Sequence, residues 1–110
     1  MIIDRNENIT IITQERASIK TLVNTIEQAY DNYKDYHLII IISSLDTVCL
    51  EDVIEFLRLS NNHRGNKKSF VIVSAKANLD QMPDEILVVP TIQEAYDIIE
   101  MEDIERDLRF

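Results

Sequence analysis

Apolar runs separated by polar turns divide the chain into alternating strand-like and helix-like segments. Ile2-Ile3 and the β-branched run at residues 9–13 flank a polar stretch at residues 6–8, a pattern that predicts two strands joined as a hairpin. The spacing then changes to that of a helix with Ser18 as its N-cap, because apolar side chains fall on one face at positions 19, 22, 23, 26, 29, 30 and 33. On this stripe we expect Tyr30 and Tyr33 at the rim, with packed rings and hydrated hydroxyls.

Two later runs have the length and continuous apolar character of buried strands. Residues 37–42 and 70–73 contain almost no polar side chains, so both faces of each strand must be covered. The segment between these strands predicts a loop at residues 43–49 and then one helix. That helix would bury Leu50, Val53, Ile54 and Leu57 and end with Gly65 at the C′ position.

The remaining segments predict one more strand and a last helix. A short helix interrupted by Pro83 is expected at residues 78–85, before a strand at residues 86–89 that Pro90 stops. Thr91 and Glu94 have the spacing of a capping box. The helix that they open would face inward through Ile92, Ala95, Tyr96 and Ile99. The charged tail from Glu100, and in particular from about residue 104, is expected to fray.

The order of these elements predicts the fold class. Strands separated by helices need crossover connections, so the sheet should be mostly parallel, with the hairpin at one edge. We therefore expect an α/β fold in a single domain over residues 1–110, with about five strands and about four helices. The side chains expected at the centre of the sheet are Ile39, Ile41, Val71 and Val73.

Charge and composition narrow the classes of partner. Twenty acidic and eleven basic side chains give the 110-residue chain a net charge of −9. Phosphate backbones and anionic lipid are repelled by such a surface, so we expect no nucleic acid and no membrane partner, and a protein with a basic patch is the natural complement. No apolar run approaches the roughly 18–20 residues of a membrane span, and the N-terminus lacks the pattern of a leader, so the expected location is the cytoplasm.

The chain offers few groups for catalysis or for cofactor binding. Its one glycine excludes the glycine-rich phosphate loops, and its one cysteine excludes a cysteine-based zinc cage. Cys49 could pair only with His37 or His63, and the predicted topology keeps both histidines away from it. The acidic residues near the C-terminus lack the spacing of a calcium loop. We therefore expect no catalytic, cofactor or metal site, and a protein that is not an enzyme.

The ordered set of elements from about Leu38 to Ile99 resembles a STAS domain, the fold of anti-sigma factor antagonists and of the cytoplasmic tail of sulfate transporters. The similar features are a buried strand followed by a loop and a helix, then Gly65-Asn66-Lys67-Lys68 before the next strand. The segment Val89-Pro90-Thr91-Ile92-Gln93-Glu94-Ala95 is similar to the family's Pro-Thr-x-x-Glu-Ala entry into the last helix. The fold that this resemblance implies agrees with the one predicted from the pattern.

The resemblance also implies a place for the partner. The family carries Asp-Ser-Ser-Gly-Leu at the junction of loop and helix, and a partner kinase phosphorylates the first serine. Aligning strand and helix places Cys49-Leu50-Glu51-Asp52-Val53 there, so that Leu50, which has no hydroxyl, stands at the acceptor position. A shift of three residues would use Asp46-Thr47 but would misalign the helix. The predicted partner-binding residues are Asp46, Thr47, Val48, Cys49, Leu50, Glu51 and Asp52.

Three functional hypotheses follow from these observations. The first is a non-catalytic STAS-like regulatory module that binds a protein, either an anti-sigma-like ATPase or a neighbouring enzyme, without a serine-phosphate switch. The second is a conventional anti-sigma factor antagonist that is regulated through another residue. The third is a small α/β enzyme with an unrecognised acidic site. The sequence leaves a homodimer open.

Overall fold

Five strands and four α-helices follow one another in the computed structural model of the chain, which describes residues 2–14, 18–42, 50–75 and 84–108. The strands are β1 (Ile2–Asn6), β2 (Ile9–Gln14), β3 (His37–Ile42), β4 (Phe70–Val73) and β5 (Leu87–Val89). The helices are α1 (Ile19–Gln28), α2 (Leu50–Ile54), α3 (Leu57–Gly65) and α4 (Ile92–Asp107), and a 3₁₀ turn, Tyr30–Asn32, follows α1. The predicted short helix at residues 78–85 falls largely outside the described residues.

The five strands form one sheet in the order β1-β2-β3-β4-β5. β1 pairs with β2 as an antiparallel hairpin, and β2 to β5 are parallel. The register aligns Ile12, Ile40, Ile72 and Val88 in one row across the parallel strands. This arrangement confirms the predicted α/β fold class with its N-terminal hairpin.

Alternate residues of the central strands pack into two separate hydrophobic cores, one on each face of the sheet. Leu38, Ile40 and Ile42 of β3 face α1, α2 and α3, where they pack with side chains such as Leu22 and Phe56. Ile39 of β3 faces the opposite side, where it packs with Val71, Val73, Val89, Ala95 and Ile99. Ile39, Val71 and Val73 are buried at the centre as expected, but Ile41 is only partly buried because α4 leaves that part of its face open.

The hairpin and the start of α1 agree with the sequence pattern, but α1 ends at Gln28, before the predicted helical positions 29, 30 and 33. Glu7 adopts a φ of 51° in the hairpin turn between β1 and β2, a left-handed conformation that non-glycine residues adopt in few places besides turns. The Ser18 hydroxyl accepts a hydrogen bond from the Thr21 amide at 3.1 Å, which confirms the N-cap of α1. Tyr33, however, is buried rather than at a hydrated rim, because the 3₁₀ turn directs it into the core.

The predicted single helix after β3 is two helices, and its buried stripe is different. A turn at Glu55 and Phe56 separates α2 from α3. The turn places Phe56 in the core, together with Leu59 and His63 of α3, while Ile54 is 48% exposed. The expectation of a buried Ile54 is therefore wrong.

The end of α3 also differs from the prediction. Gly65 is the last residue of α3 and has no positive φ, and Asn66 is the C-cap. The left-handed conformation falls two residues later, on Lys67, with a φ of 64°. Gly65 is therefore not the C′ residue that was predicted.

The last helix is longer than the sequence pattern indicates. Thr91 caps α4 by accepting a hydrogen bond from the Glu94 amide at 3.3 Å, and Ala95 and Ile99 are buried as predicted. Ile92 is exposed, so its inward position was predicted wrongly. α4 continues to Asp107, and the expectation of a frayed tail from Glu100 fails because side chains of this segment bind the body of the protein.

Candidate functional site

Most of the predicted partner surface lies outside the described residues. This applies to Asp46, Thr47, Val48 and Cys49, and of Leu50 the structure describes only that it begins α2. Glu51 and Asp52 occupy the first turn of α2, where negative charge favours the positive end of a helix. Glu51 is exposed and Asp52 half-buried, so the acidic end of the predicted surface reaches solvent.

An open groove lies beside this acidic turn, between α1 and the two short helices. Its volume is about 370 Å³, and its walls are Lys20, Val23, Asn24, Glu27, Ile54, Glu55 and Arg58. Ile54 is the exposed apolar side chain of the groove, because the turn after α2 rotates it away from the core. An exposed isoleucine beside charged groups offers a partner both apolar contact and polar contact.

One ion pair joins the two walls of this groove. Arg58 of α3 donates two hydrogen bonds to Glu27 of α1, from Nε at 2.9 Å and from Nη2 at 2.7 Å. The hydrogen bond from Arg58 lowers the pKa of Glu27, and the same bond raises the pKa of Arg58. Both side chains therefore stay charged at neutral pH and hold the groove walls together.

Two buried histidines, one near the end of α3 and one at the start of β3, were missed by the sequence analysis as structural centres. His63 of α3 is fully buried, and its Nε2 lies 2.7 Å from the Tyr36 carbonyl oxygen. A carbonyl oxygen only accepts hydrogen bonds, so we assign the ring proton to Nε2. Nδ1 then accepts from the Tyr30 hydroxyl at 2.7 Å, and that hydroxyl accepts from the Asn66 side-chain amide at 2.9 Å.

His37, at the start of β3, is the second buried histidine. Its Nδ1 accepts a hydrogen bond from the Ser69 backbone amide at 2.9 Å, so that nitrogen carries no proton. The proton is therefore on Nε2, which lies 2.9 Å from the Asp103 carboxylate of α4. The contact with Asp103 ties the start of the central strand to the last helix.

Basic side chains complete the attachment of α4. Arg106 donates to the Ser69 hydroxyl at 3.0 Å and to Asp103 at 3.2 Å. Arg64, in the last turn of α3, binds Glu102 at 3.1 Å. These contacts keep the charged end of α4 helical against the sheet.

The electrostatics of both histidines favour the neutral ring. Burial lowers the pKa of His63 to about 4. Burial also lowers the pKa of His37, helped by the nearby positive charges of Arg106 and Lys68, while Asp103 acts in the opposite direction. The basic side chains Arg64, Lys67 and Lys68 that follow His63 therefore have no charged imidazole beside them at neutral pH.

The hydrogen bonds of this network join separate elements of the fold. Both ring nitrogens of His63 and of His37 are occupied by intramolecular hydrogen bonds, so neither ring presents a free base to a substrate. The sequence carried one signal for this role, because His63 lies at helical spacing from Phe56 and Leu59. Cys49, the only candidate thiol, falls outside the described residues.

Metal clusters and membrane-spanning helices are both absent from the described part of the chain. Within those residues, no three histidine, cysteine or acidic side chains come together as a metal site would require. No helix there combines the length and the apolar character needed to cross a bilayer.

No protein-family model and no curated protein matches this chain. The resemblance to STAS domains therefore rests on the residues and the order of elements given above.

Proposed function

We propose that this protein is a non-catalytic, STAS-like regulatory module that binds another protein through the groove between α1 and the two short helices α2 and α3. The observation that carries the proposal is the exposure of Ile54 in that groove, next to the acidic first turn of α2. The resemblance to the STAS family supports the same place, since the family's partner docks where the loop after the central strand meets the next helix.

The acidic turn beside the groove supports a partner with a basic patch around an apolar side chain, since the charges of the walls themselves, Lys20 and Arg58 against Glu27 and Glu55, balance. Ile54 would act as the apolar anchor, and the acidic side chains Glu51, Asp52 and Glu55 would attract the basic groups. The Arg58–Glu27 pair keeps the walls in place before binding, which reduces the entropy lost when the partner docks. An anti-sigma-like ATPase and a neighbouring enzyme are the two partner classes that fit this proposal.

The proposed module also lacks the phosphorylatable serine that the STAS resemblance implies. Leu50 stands at the phosphoacceptor position implied by the resemblance, so binding should be independent of kinase and ATP. Incubation with a family-type serine kinase and ATP, followed by peptide mapping, should find no phosphate on residues 47–52. Stoichiometric phosphate on Thr47 would favour the conventional antagonist, with its acceptor three residues earlier.

A quantitative pull-down from the native host tests the partner surface. Wild-type protein should capture a partner that Ile54→Asn captures at least about tenfold less, because an interface anchor is worth 1–2 kcal/mol or more. Binding of the purified partner should then show the same loss by calorimetry.

Ile92→Asn is the matched control, because Ile92 is an exposed isoleucine in the first turn of α4, outside the groove and on the helix that packs on the other face of the sheet. The partner lost with Ile54→Asn should bind this control unchanged. If Ile54→Asn recovers every protein that the wild type recovers, the groove is not the partner surface.

A further inference from the structure

The two faces of the sheet are covered unequally by the described helices. Five strands about 4.8 Å apart make a sheet about 19 Å wide, and a helix about 10 Å across covers roughly two strands. One face carries α1 together with α2 and α3. The other carries α4, which packs on the side of β3, β4 and β5 through Ala95 and Ile99. The space for a second helix on that face lies over β1 and β2.

Apolar side chains on this open half remain partly or fully exposed. Ile9, Thr13 and Ile41 are half-buried, whereas Ile12 and Ile40 on the opposite face are fully buried. Ile2 lies opposite Thr13 in the hairpin register, so it belongs to the same open face, and it is 46% exposed. Together with the buried Ile11 these positions form a largely apolar floor, of which α4 covers only one margin, at Ile9 and Ile41.

A groove of about 360 Å³ runs where this floor meets α4. Ile9 of β2 forms one wall, and Tyr96, Ile99 and Ile104 of α4 form the other. From Tyr96 to Asp107 the α4 wall is about 16 Å long at about 1.5 Å per residue, which is the length of three helical turns. The groove therefore has the length and apolar lining that a short helix needs.

The rim of the groove is acidic. Glu100, Asp103 and Asp107 line it, and Asp4 lies opposite Ile11 on the same sheet face. Asp103 is held by His37 and Arg106, but Glu100 and Asp107 form no ion pair with any other described residue. Along the α4 wall a partner would therefore meet carboxylates that no described basic side chain pairs with.

We propose that this groove binds an amphipathic helix of a protein partner, with lysine or arginine residues flanking its apolar stripe. Such a helix would lie beside α4 over β1 and β2, and its basic side chains would meet Glu100 and Asp107. A second copy of this chain is a poorer occupant because it brings another net charge of −9 to the same surface. The groove lies on the opposite face from Ile54, so this inference goes beyond the proposed function.

A designed peptide provides the probe. It contains only leucine and lysine, spaced as an amphipathic helix of about four turns, and a matched peptide carries glutamate at every lysine position. Titration of ¹⁵N-labelled full-length protein with the lysine peptide should give saturable amide shifts centred on Ile9, Tyr96 and Ile104. The glutamate peptide should give none.

Charge-reversal variants distinguish binding in the groove from long-range attraction between the peptide and the acidic protein. Glu100→Lys with Asp107→Lys should weaken binding of the lysine peptide by at least about tenfold, because close rim charges act directly on the bound helix. Asp84→Lys with Glu85→Lys changes the net charge equally at exposed positions before β5 and should stay within about twofold of the wild type.

Three results would overturn the proposal: equal weakening by both pairs of substitutions, shifts centred on Ile54 instead of α4, or no saturable shift at millimolar peptide. Sedimentation and amide spectra of the protein without peptide, recorded at increasing protein concentration, provide a further check. A dimer that shifts the same amides with rising protein concentration would assign the groove to a second copy. Of these results only shifts centred on Ile54 would bear on the groove of the proposed function, and they would favour it; that groove is tested separately by Ile54→Asn.

Discussion

The Tyr30 hydroxyl links two elements, the 3₁₀ turn and α3, through a single oxygen atom. It donates to Nδ1 of His63 in α3 and accepts from Asn66 at the end of that helix, while its own backbone begins the 3₁₀ turn after α1. Burial raises the pKa of Tyr30, so the hydroxyl keeps its proton and remains a donor at neutral pH. The ring also packs edge-on against His63, with the ring centroids 5.6 Å apart.

Tyr30→Phe should lower the free energy of unfolding by about 1–3 kcal/mol, because it leaves the buried Nδ1 of His63 without a donor. Urea unfolding at pH 7.5 measures the change. Tyr36→Phe is the matched control: the Tyr36 hydroxyl makes no hydrogen bond within the described part of the chain, and its ring stays under the Arg5 guanidinium. The control should cost less than about 0.5 kcal/mol. Equal costs for the two substitutions would contradict the role assigned to Tyr30.

The sequence pattern is compatible with burial of His63 and Tyr30, although their burial was not predicted, and it does not show their partners. His63 lies on a helical stripe with apolar neighbours, and Tyr30 lies on the stripe of α1. Their hydrogen bond joins residues 33 positions apart, so it depends on how α3 packs beside α1. That packing is a tertiary property that local periodicity does not contain.

At the scale of elements, β3 has one fully covered face and one partly covered face. Ile40 is fully buried beneath α1 and α3, while its neighbour Ile41 points to the side where α4 stands alone among the described helices. The continuous apolar run at residues 37–42 predicts burial on both sides, and this is why Ile41 was expected at the centre of the sheet.

Ile40→Ala should lower the free energy of unfolding by about 2–5 kcal/mol, as cavity-forming core substitutions do. Ile41→Ala removes the same atoms from a half-buried site and should cost about 1 kcal/mol. Chemical denaturation of the two variants under the same conditions makes the comparison. A cost for Ile41→Ala as large as that for Ile40→Ala would show that this face is covered after all.

The helices after β3 show where periodicity stops being decisive. The stretch from Val53 to Leu59 contains two overlapping apolar stripes, one through Ile54 and Leu57 and the other through Phe56 and Leu59. The larger Phe56 ring fills the core against Phe70, with the ring centroids 6.1 Å apart, and this packing favours the second stripe. The choice needs the shape of the core, which the sequence pattern alone does not supply.

At the scale of the whole molecule, the mostly parallel sheet with its hairpin at one edge was predictable, because it follows from the alternation of strands and helices. The length of α4 was not predictable in the same way. Its last turns have many charged side chains, which are typical of a solvated tail, yet Arg106 and Glu102 pair with residues far away in sequence. Asp103 of the same helix holds His37 at the start of β3, whereas His63 joins α3 to the turn after α1.

The two buried histidines should make the free energy of unfolding depend on pH. The pKa of His63 is about 4 in the folded protein against an ordinary 6.5, and the pKa of His37 is lowered too. Above pH 6.5 both histidines are neutral in the folded and the unfolded chain, so the full stability is present. As the pH falls below 6.5, the unfolded chain takes up protons that the folded protein does not, and stability decreases until His63 itself protonates near pH 4. The contribution of His63 is at most about 3 kcal/mol, at 1.36 kcal/mol per pH unit.

Urea unfolding at intervals between pH 7.5 and 5 should therefore show a steady loss of stability on the acid side. This window lies above the ordinary carboxylate range, so the paired carboxylate of Glu27, whose pKa is lowered by Arg58, contributes little there. His63→Gln is the control, since a glutamine amide keeps one donor for the Tyr36 carbonyl and one acceptor for the Tyr30 hydroxyl but does not titrate. The variant should be less stable than the wild type at pH 7.5 and should lose less stability between pH 6.5 and 5. Parallel curves for the two proteins would mean that the buried ring of His63 does not govern this acid sensitivity, and the loss would then have to come from His37 or from the acidic surface.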